Sequence, residues 1–298
     1  MQLGEPSWMN EEHAVVRDSV QKFIAAEIAP HYEAWEEAGI VPRNIWNKLG
    51  EQGLLSPDIP EEYGGAGLGM MEMSLLMEGM ADHGIPMQHL VVGPTMCLAH
   101  LARHGTEEQK QRYLPPACAG KEVWCFAITE PTAGSNSMKI TTLAKSADDG
   151  DFRLNGQKVF ITGSDVADYA MVVARTTPFQ DAAKKTDGFT LFIVNLNAPG
   201  VRRQPMDMSI VIPERQCEIF FEDVALTKAD VIGEVDKGFP LVQKIANRAI
   251  LALSAEAVGA MEVLYQDTIA YTKQREQFDH PLSEFQVLQH RMVDMFME

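Results

Sequence analysis

Phe126-Ala127-Ile128-Thr129-Glu130-Pro131-Thr132-Ala133-Gly134-Ser135-Asn136-Ser137 divides this chain. Its first residues read as the end of an apolar β-strand. Glu130-Pro131 then stops the strand, because proline fixes φ and removes a backbone donor. Beyond the proline lie small and hydroxyl residues around Gly134, whose main-chain N–H groups stay accessible. A turn of that composition lets a flat, phosphate-bearing ligand approach the backbone closely. An ordinary strand-to-loop exit has the same composition, so this stretch alone leaves both readings open and its flanks must decide.

Everything before it is helical in pattern. Asn10 is a suitable cap with Glu11 and Glu12 in the first turn, and Val16, Val20, Phe23, Ile24 and Ile28 recur at helical spacing until Pro30. A shorter helix holds Ile45, Trp46 and Leu49. Pro60-Glu61-Glu62-Tyr63-Gly64-Gly65-Ala66-Gly67 is a loop, and it is no P-loop, since no Lys-Ser/Thr follows. Helical spacing resumes over 71–80, 86–104 and 107–119. The methionines of 70–80 read as core filler. His100 and His104 stand four apart, but without a zincin glutamate they read as packed or surface histidines rather than metal ligands.

After residue 122 the pattern changes to short β-type runs: 123–128, 139–145, 152–161, 169–174, 189–194 and 218–221, with Asp-Gly, Asn-Gly and Pro-Gly pairs between them. Asn155-Gly156 is a two-residue hairpin signal. Beyond Gly233 and Gly238, apolar residues from Phe239 to Tyr271 form one long helical segment of roughly 50 Å at 1.5 Å per residue. A loop over 275–283 and a further helix from Glu284 follow. The fold class is therefore α+β and multi-domain: a helical domain over 1–121, an antiparallel β barrel or sandwich over 122–236, and part of a helical bundle over 237–298. That last helix is still apolar at Val293, Met295 and Phe296, so an incomplete chain, or one completed by another polypeptide, is expected.

Composition bounds the partners. With 25 basic and 42 acidic residues the net charge is −17, which disfavours nucleic acid and anionic membrane. Four cysteines without C-x-x-C spacing read as reduced apolar residues of a cytoplasmic enzyme, not as a metal site. No signal core stands at the N-terminus and no run reaches the ~18 apolar residues of a membrane span.

In order along the chain, several motifs resemble the acyl-CoA dehydrogenase family: the Pro60–Gly67 loop, Gly105-Thr106-Glu107 through Tyr113-Leu114-Pro115, Thr129-Glu130-Pro131 with Ala133-Gly134-Ser135, Lys158-Val159-Phe160-Ile161-Thr162, Phe221-Glu222-Asp223-Val224, and Arg275 with Gln277, Phe278 and Gln286. The resemblance implies FAD as cofactor, an acyl-CoA substrate, α,β-dehydrogenation, and electrons passed to an electron-transfer flavoprotein. It further implies a dimer or tetramer, or a heteromer with a related subunit. Carried over by residue, Phe126, Ile128 and Thr129 would line the flavin ring through main-chain and hydroxyl bonds. Gly134 and Ser135 would hold the pyrophosphate side, with Ser135 also near the CoA arm. Phe160 and Ile161 would lie along the ring and Thr162 would bond near it. Phe160 stands where many relatives carry tryptophan, and Asn136 where aspartate is usual. Arg275, Gln277, Phe278 and Gln286 would form the loop that reaches cofactor across a dimer interface. No G-x-G-x-x-G is present, so a Rossmann site is not expected.

The catalytic residue is left unassigned. In most relatives the base lies in a C-terminal segment beyond residue 298. A subset carries it just before an arginine of the long helix, which here is Asn247 before Arg248. An amide cannot take a carbon-bound proton. Arg248 is expected either to pack or to serve the CoA side as a substrate-binding residue. An active dehydrogenase, a non-catalytic FAD-supporting subunit of a heteromeric one, and a flavin oxidase or hydroxylase of the same fold therefore compete.

Overall fold

Helix α1 (Glu11–Phe23) begins as its residues suggest: the Asn10 side chain accepts from the His13 N–H at 2.8 Å, and His13 returns a bond to the Asn10 N–H. In the computed structural model, which describes residues 7–85, 89, 92–147, 150–209 and 213–297, Pro30 does not end the helical path. The chain widens into a π-turn over Ile24–Ile28 and tightens to 3₁₀ over Ala29–His31. It then continues as α2 (Tyr32–Ala38). These local changes absorb the donor that proline lacks. Next come α3 (Arg43–Glu51), α4 (Met70–Asp82), α5 (Ala99–His104) and α6 (Glu107–Cys118). The helix expected over 86–104 falls partly on residues outside the described ones; its described remainder is a π-helical run, Val92–Leu98, leading into α5. Met73, Met77 and Met80 are buried, as filler should be.

One eight-stranded sheet follows: β1 (Trp124–Ala127), β2 (Leu143–Ser146), β3 (Phe152–Thr162), β4 (Tyr169–Arg175), β5 (Phe189–Asn195), β6 (Val201–Pro205), β7 (Gln216–Leu226) and β8 (Val231–Ile232). Its order is β6-β7-β3-β2-β4-β5-β8, with β1 added alongside β4. The pairing is antiparallel except that β1 runs parallel to β4, with one further parallel bridge between β2 and β4. The domain is otherwise antiparallel, as expected.

One correction concerns Asn155-Gly156, which is no hairpin turn. Both residues lie inside β3, at a register shift against β7. Gly156 sits at φ 148°, with Thr142 so close that a Cβ would meet its Oγ1 at 2.5 Å; the Asn155 side chain accepts from the Asp223 N–H at 2.9 Å. The pair serves a β-bulge rather than a chain reversal. The run expected over 139–145 is likewise part 3₁₀ turn (Ser137–Lys139) before β2 begins. Strands β6 and β8 are absent from the sequence expectation.

The chain then forms α7 (Phe239–Gln274), 36 residues or about 54 Å at 1.5 Å per residue. A small hairpin, β9 (Glu276–Gln277) with β10 (His280–Pro281), leads to α8 (Gln286–Met297). By length and composition alone α7 could cross a membrane, although no apolar run of spanning length was expected from the sequence. One side of it packs against α4, at the close approach of Gly259 to the Glu78 carbonyl, and its buried Arg248 ties it to the helical domain, while much of its length is exposed. Two apolar cores tie helices to sheet, the first joining Val20, Trp46 and Met73 to Ala127, Leu154 and Phe192.

Candidate functional site

Glu130 to Ala133 close a tight turn, with Glu130 N–H to Ala133 O at 3.0 Å and the reciprocal bond at 3.1 Å. Pro131 and Thr132 are its exposed tip, followed by exposed Gly134 and Ser135. A Cβ placed on Gly134 would meet nothing within 4 Å, so the backbone there faces open space. The hydroxyls of Thr129 and Ser135 engage no side-chain or backbone partner among the described residues. Phe126 is 9% exposed and turns its ring into the second core, while Ile128 and Thr129 are half-buried. Any ligand contact from Phe126 must therefore come from its main chain.

Strand β3 runs beside this turn, joined to it by the Val159 N–H donating to Thr129 O at 2.9 Å. Between Lys158 and Ile161 the β3–β7 register slips, and Phe160 takes φ 55°. A left-handed backbone is costly for an aromatic residue. Its consequence is to throw the Phe160 ring outward, 52% exposed, while Val159 and Ile161 stay buried. Ile161, expected along the ring, thus offers only backbone. Thr162 is half-buried, and its hydroxyl lies 3.1 Å from Oε1 and 3.0 Å from Nε2 of Gln216, its cross-strand neighbour. Gln216 is the residue sequence reasoning missed; only correct pairing of β3 with β7 could have found it.

Beneath the turn the side chains are charged. Lys158 and Glu130 pair at 2.8 Å with side chains 0% and 2% exposed. Glu130 also accepts from Thr141 N–H and Oγ1 and from Thr142 N–H. Burial works to raise the Glu130 carboxyl, but Lys158 and these donors outweigh it and hold it below the usual carboxylate range. Burial pushes the Lys158 ammonium down to about 8, against the pull of Glu130. At neutral pH the pair is ionised.

The remaining expected site residues lie elsewhere. Arg248 is buried, with one guanidinium nitrogen on Asp58 and Nε donating to Thr95 O at 3.3 Å, so α7 is pinned to the helical domain through it. Asn247, beside it, is exposed. Arg275, Gln277 and Phe278 sit on the β9–β10 hairpin at the far end of α7, and Gln286 opens α8; all four are exposed. Phe278 and Asp279, at φ 56° and 62°, make the hairpin turn and leave the Phe278 ring 84% exposed. The hairpin lies against the end of α7, with Phe278 edge-on to Phe285 and His280 Nδ1 3.1 Å from Glu284 Oε2, and none of its side chains bonds the β domain among the described residues. Within one chain the two clusters of expected residues do not meet.

Residues 10–121, 125–224 and 236–298 match, in turn, the family descriptions "Acyl-CoA dehydrogenase, N-terminal domain", "middle domain" and "C-terminal domain". This chain belongs to the acyl-CoA dehydrogenase family. It is 34% identical over 294 residues to the mitochondrial long-chain specific acyl-CoA dehydrogenase of Sus scrofa, covering 98% of this chain and 68% of that protein. A crystal structure of an acyl-CoA dehydrogenase from Geobacillus kaustophilus superposes with a TM-score of 0.93 at 33% identity, over 98% of this chain and 76% of that one. An acyl-CoA dehydrogenase from Bacillus anthracis complexed with FAD superposes with a TM-score of 0.88 at 28% identity, over 98% of this chain and 50% of that one. The chain thus spans about two thirds of its long-chain relative, and the family is one of oxidoreductases.

Proposed function

We propose that this chain binds FAD at the turn 129–135 and the bulge 160–162, and serves the α,β-dehydrogenation of an acyl-CoA thioester. The observation that carries the reading is the pairing of an open turn, bare of Cβ at Gly134, with an outward aromatic ring held at positive φ. Exposing Phe160 at a strained backbone costs stability without packing in return, which is expected where a ring awaits a flat ligand. The free main chain near Gly134 and Ser135 suits an anionic pyrophosphate. FAD, when bound, supplies the two-electron acceptor. The protein's own part is orientation and water exclusion: Phe160 covers one face, Thr129 and Ser135 offer hydroxyls, and Gln216 fixes the Thr162 hydroxyl from the next strand.

Arg248, buried on Asp58, we assign to anchoring α7 rather than to gripping CoA. Asn247, an amide, cannot serve as the base, which is left to another residue or another subunit. The hairpin residues Arg275, Gln277, Phe278 and Gln286 would complete the site of a second subunit, making an oligomer part of the function. An electron-transfer flavoprotein is the proposed acceptor, and four buried free thiols fit a reducing cytoplasm.

A second reading has support of its own. Helix α7 exposes Ile250, Leu251, Val258, Met261 and Leu264, an apolar face that a related subunit could cover. The chain would then hold flavin for a heteromer whose other subunit brings the base. The deciding experiment titrates the purified chain with FAD, adds acyl-CoA, and follows flavin absorbance. FAD should bind, with bleaching only once a C-terminal segment of the kind its longer relatives carry, or a related subunit, is supplied; failure of FAD to bind would sink both readings. Oxygen uptake by reduced flavin without acyl-CoA would point instead to an oxidase or hydroxylase. Phe160→Ala should raise the FAD Kd about tenfold, from an aromatic face worth roughly 1.5 kcal/mol. Thr162→Ala should raise it roughly threefold, one modest hydrogen bond.

A further inference from the structure

Loop 128–142 is held at both ends by buried cations from two different strands. At its start, Lys158 of β3 donates to Ile128 O at 2.9 Å and to Glu130 Oε1 at 2.8 Å. At its end, Arg175 of β4, 1% exposed, donates to Met138 O at 2.6 Å and Ile140 O at 3.1 Å, and its guanidinium lies 4.4 Å from the Phe189 ring centroid. The middle, 131–136, is left exposed apart from Ala133. Two buried cations face one carboxylate, so the ground beneath the open turn carries an excess of positive charge in a chain of net charge −17. Lys158 has a second connection, because it immediately precedes Val159, whose N–H holds Thr129 O, and the strained Phe160.

We propose that Lys158 is a positioning residue for the flavin: its buried ammonium, shared between the Ile128 carbonyl and the Glu130 carboxylate, sets the open turn in register with the Phe160–Thr162 bulge. The proposal rests on the FAD reading above and deepens it. A buried ion pair is weak evidence for stability, since apolar or neutral replacements of both members are often tolerated. What it offers here is geometry. An ammonium with fixed acceptors on one segment and a backbone continuous with the other leaves little freedom between them.

The test uses the double variant Lys158→Met with Glu130→Gln, which removes both charges and leaves neither buried alone. It should fold, with the near-UV dichroism of the parent. In the ligand-free protein, amide hydrogens of 129–136 should exchange at least tenfold faster while those of β4 and β5 are unchanged. The FAD Kd should rise at least tenfold, and the flavin band shape should change. A folded double variant with parental exchange, Kd and spectrum would overturn the proposal. Faster exchange in a protein whose parent never bound FAD would sink the flavin reading, and with it this role, while leaving the mechanical coupling measured. If the double variant does not fold, Glu130→Gln alone, which keeps the Lys158–Ile128 bond, is read by the same three measurements: faster exchange, a raised Kd and an altered band support the role, and parental values of all three overturn it.

Discussion

Gly163→Ala should lose FAD retention and roughly 3–5 kcal/mol of stability, the sum of a left-handed backbone without glycine and an overpacked joint. Gly163 follows Thr162 directly and adopts φ 67°. A Cβ there would come 2.0 Å from Nδ1 of His89 and 2.1 Å from its Cε1. The ring cannot step aside. Its Nε2 lies 3.0 Å from Trp124 O, which can only accept, so Nε2 carries the proton. Its backbone N–H donates to Glu214 at 2.8 Å, and Trp46 packs edge-on at 4.8 Å between ring centroids. His89 thus joins α3, β1 and the turn after β3, and displacing it displaces Thr162. A thermal melt should fall by on the order of 10 °C. A variant that melts and retains FAD like the parent would show that this joint does not hold Thr162 in place.

The motifs most legible in the sequence were those whose chemistry is local. Proline at 131 marks the end of the strand from local chemistry alone, and the 3.6-residue spacing from Phe239 to Tyr271 needed no neighbour to be read as helix. Bulges were not legible. Asn155-Gly156 has the composition of a hairpin, but its conformation is decided by Thr142 packing on Gly156 and by Asp223 bonding Asn155, contacts distant in sequence. Phe160 read as an ordinary strand residue, because nothing local announces φ 55°; the slip of β3 against β7 imposes it. Strand β6 escaped because Val201–Pro205 is a charged edge, without alternation and ending in proline. Gln216 and the Lys158–Glu130 pair needed the sheet itself. Side chains that serve the site through a neighbour have no signature until that neighbour is placed.

Lowering the pH from 7.0 to 5.5 should remove about 2.5 kcal/mol of stability through two buried histidines, roughly half from each. His89 and His100 are each 1% exposed. Burial, with a smaller push from Arg43, takes His89 down to about 4; burial, then Arg248, His104, Arg103 and Lys244, takes His100 down to about 3. Both folded values lie below the unfolded one near 6.5, so the unfolded chain binds protons first. Stability from the neutral rings is whole above pH 6.5 and is lost as pH falls towards 4 and 3. By pH 4 the loss approaches roughly 6 kcal/mol. The structure gives the reason atom by atom: His89 Nδ1 faces Gly163, leaving no room beside it, and neither ring nitrogen of His100 has a hydrogen-bond partner among the described residues. Carboxyls raised by partial desolvation, those of Glu78, Asp82, Asp165 and Glu256, act with the opposite sign, since the folded chain protonates them more readily. The double variant His89→Gln with His100→Met keeps that carboxyl background and removes the histidines. Urea titrations at the two pH values should show the parent losing about 2.5 kcal/mol more than the variant. Equal changes in both proteins would mean that the two rings are not what acid attacks.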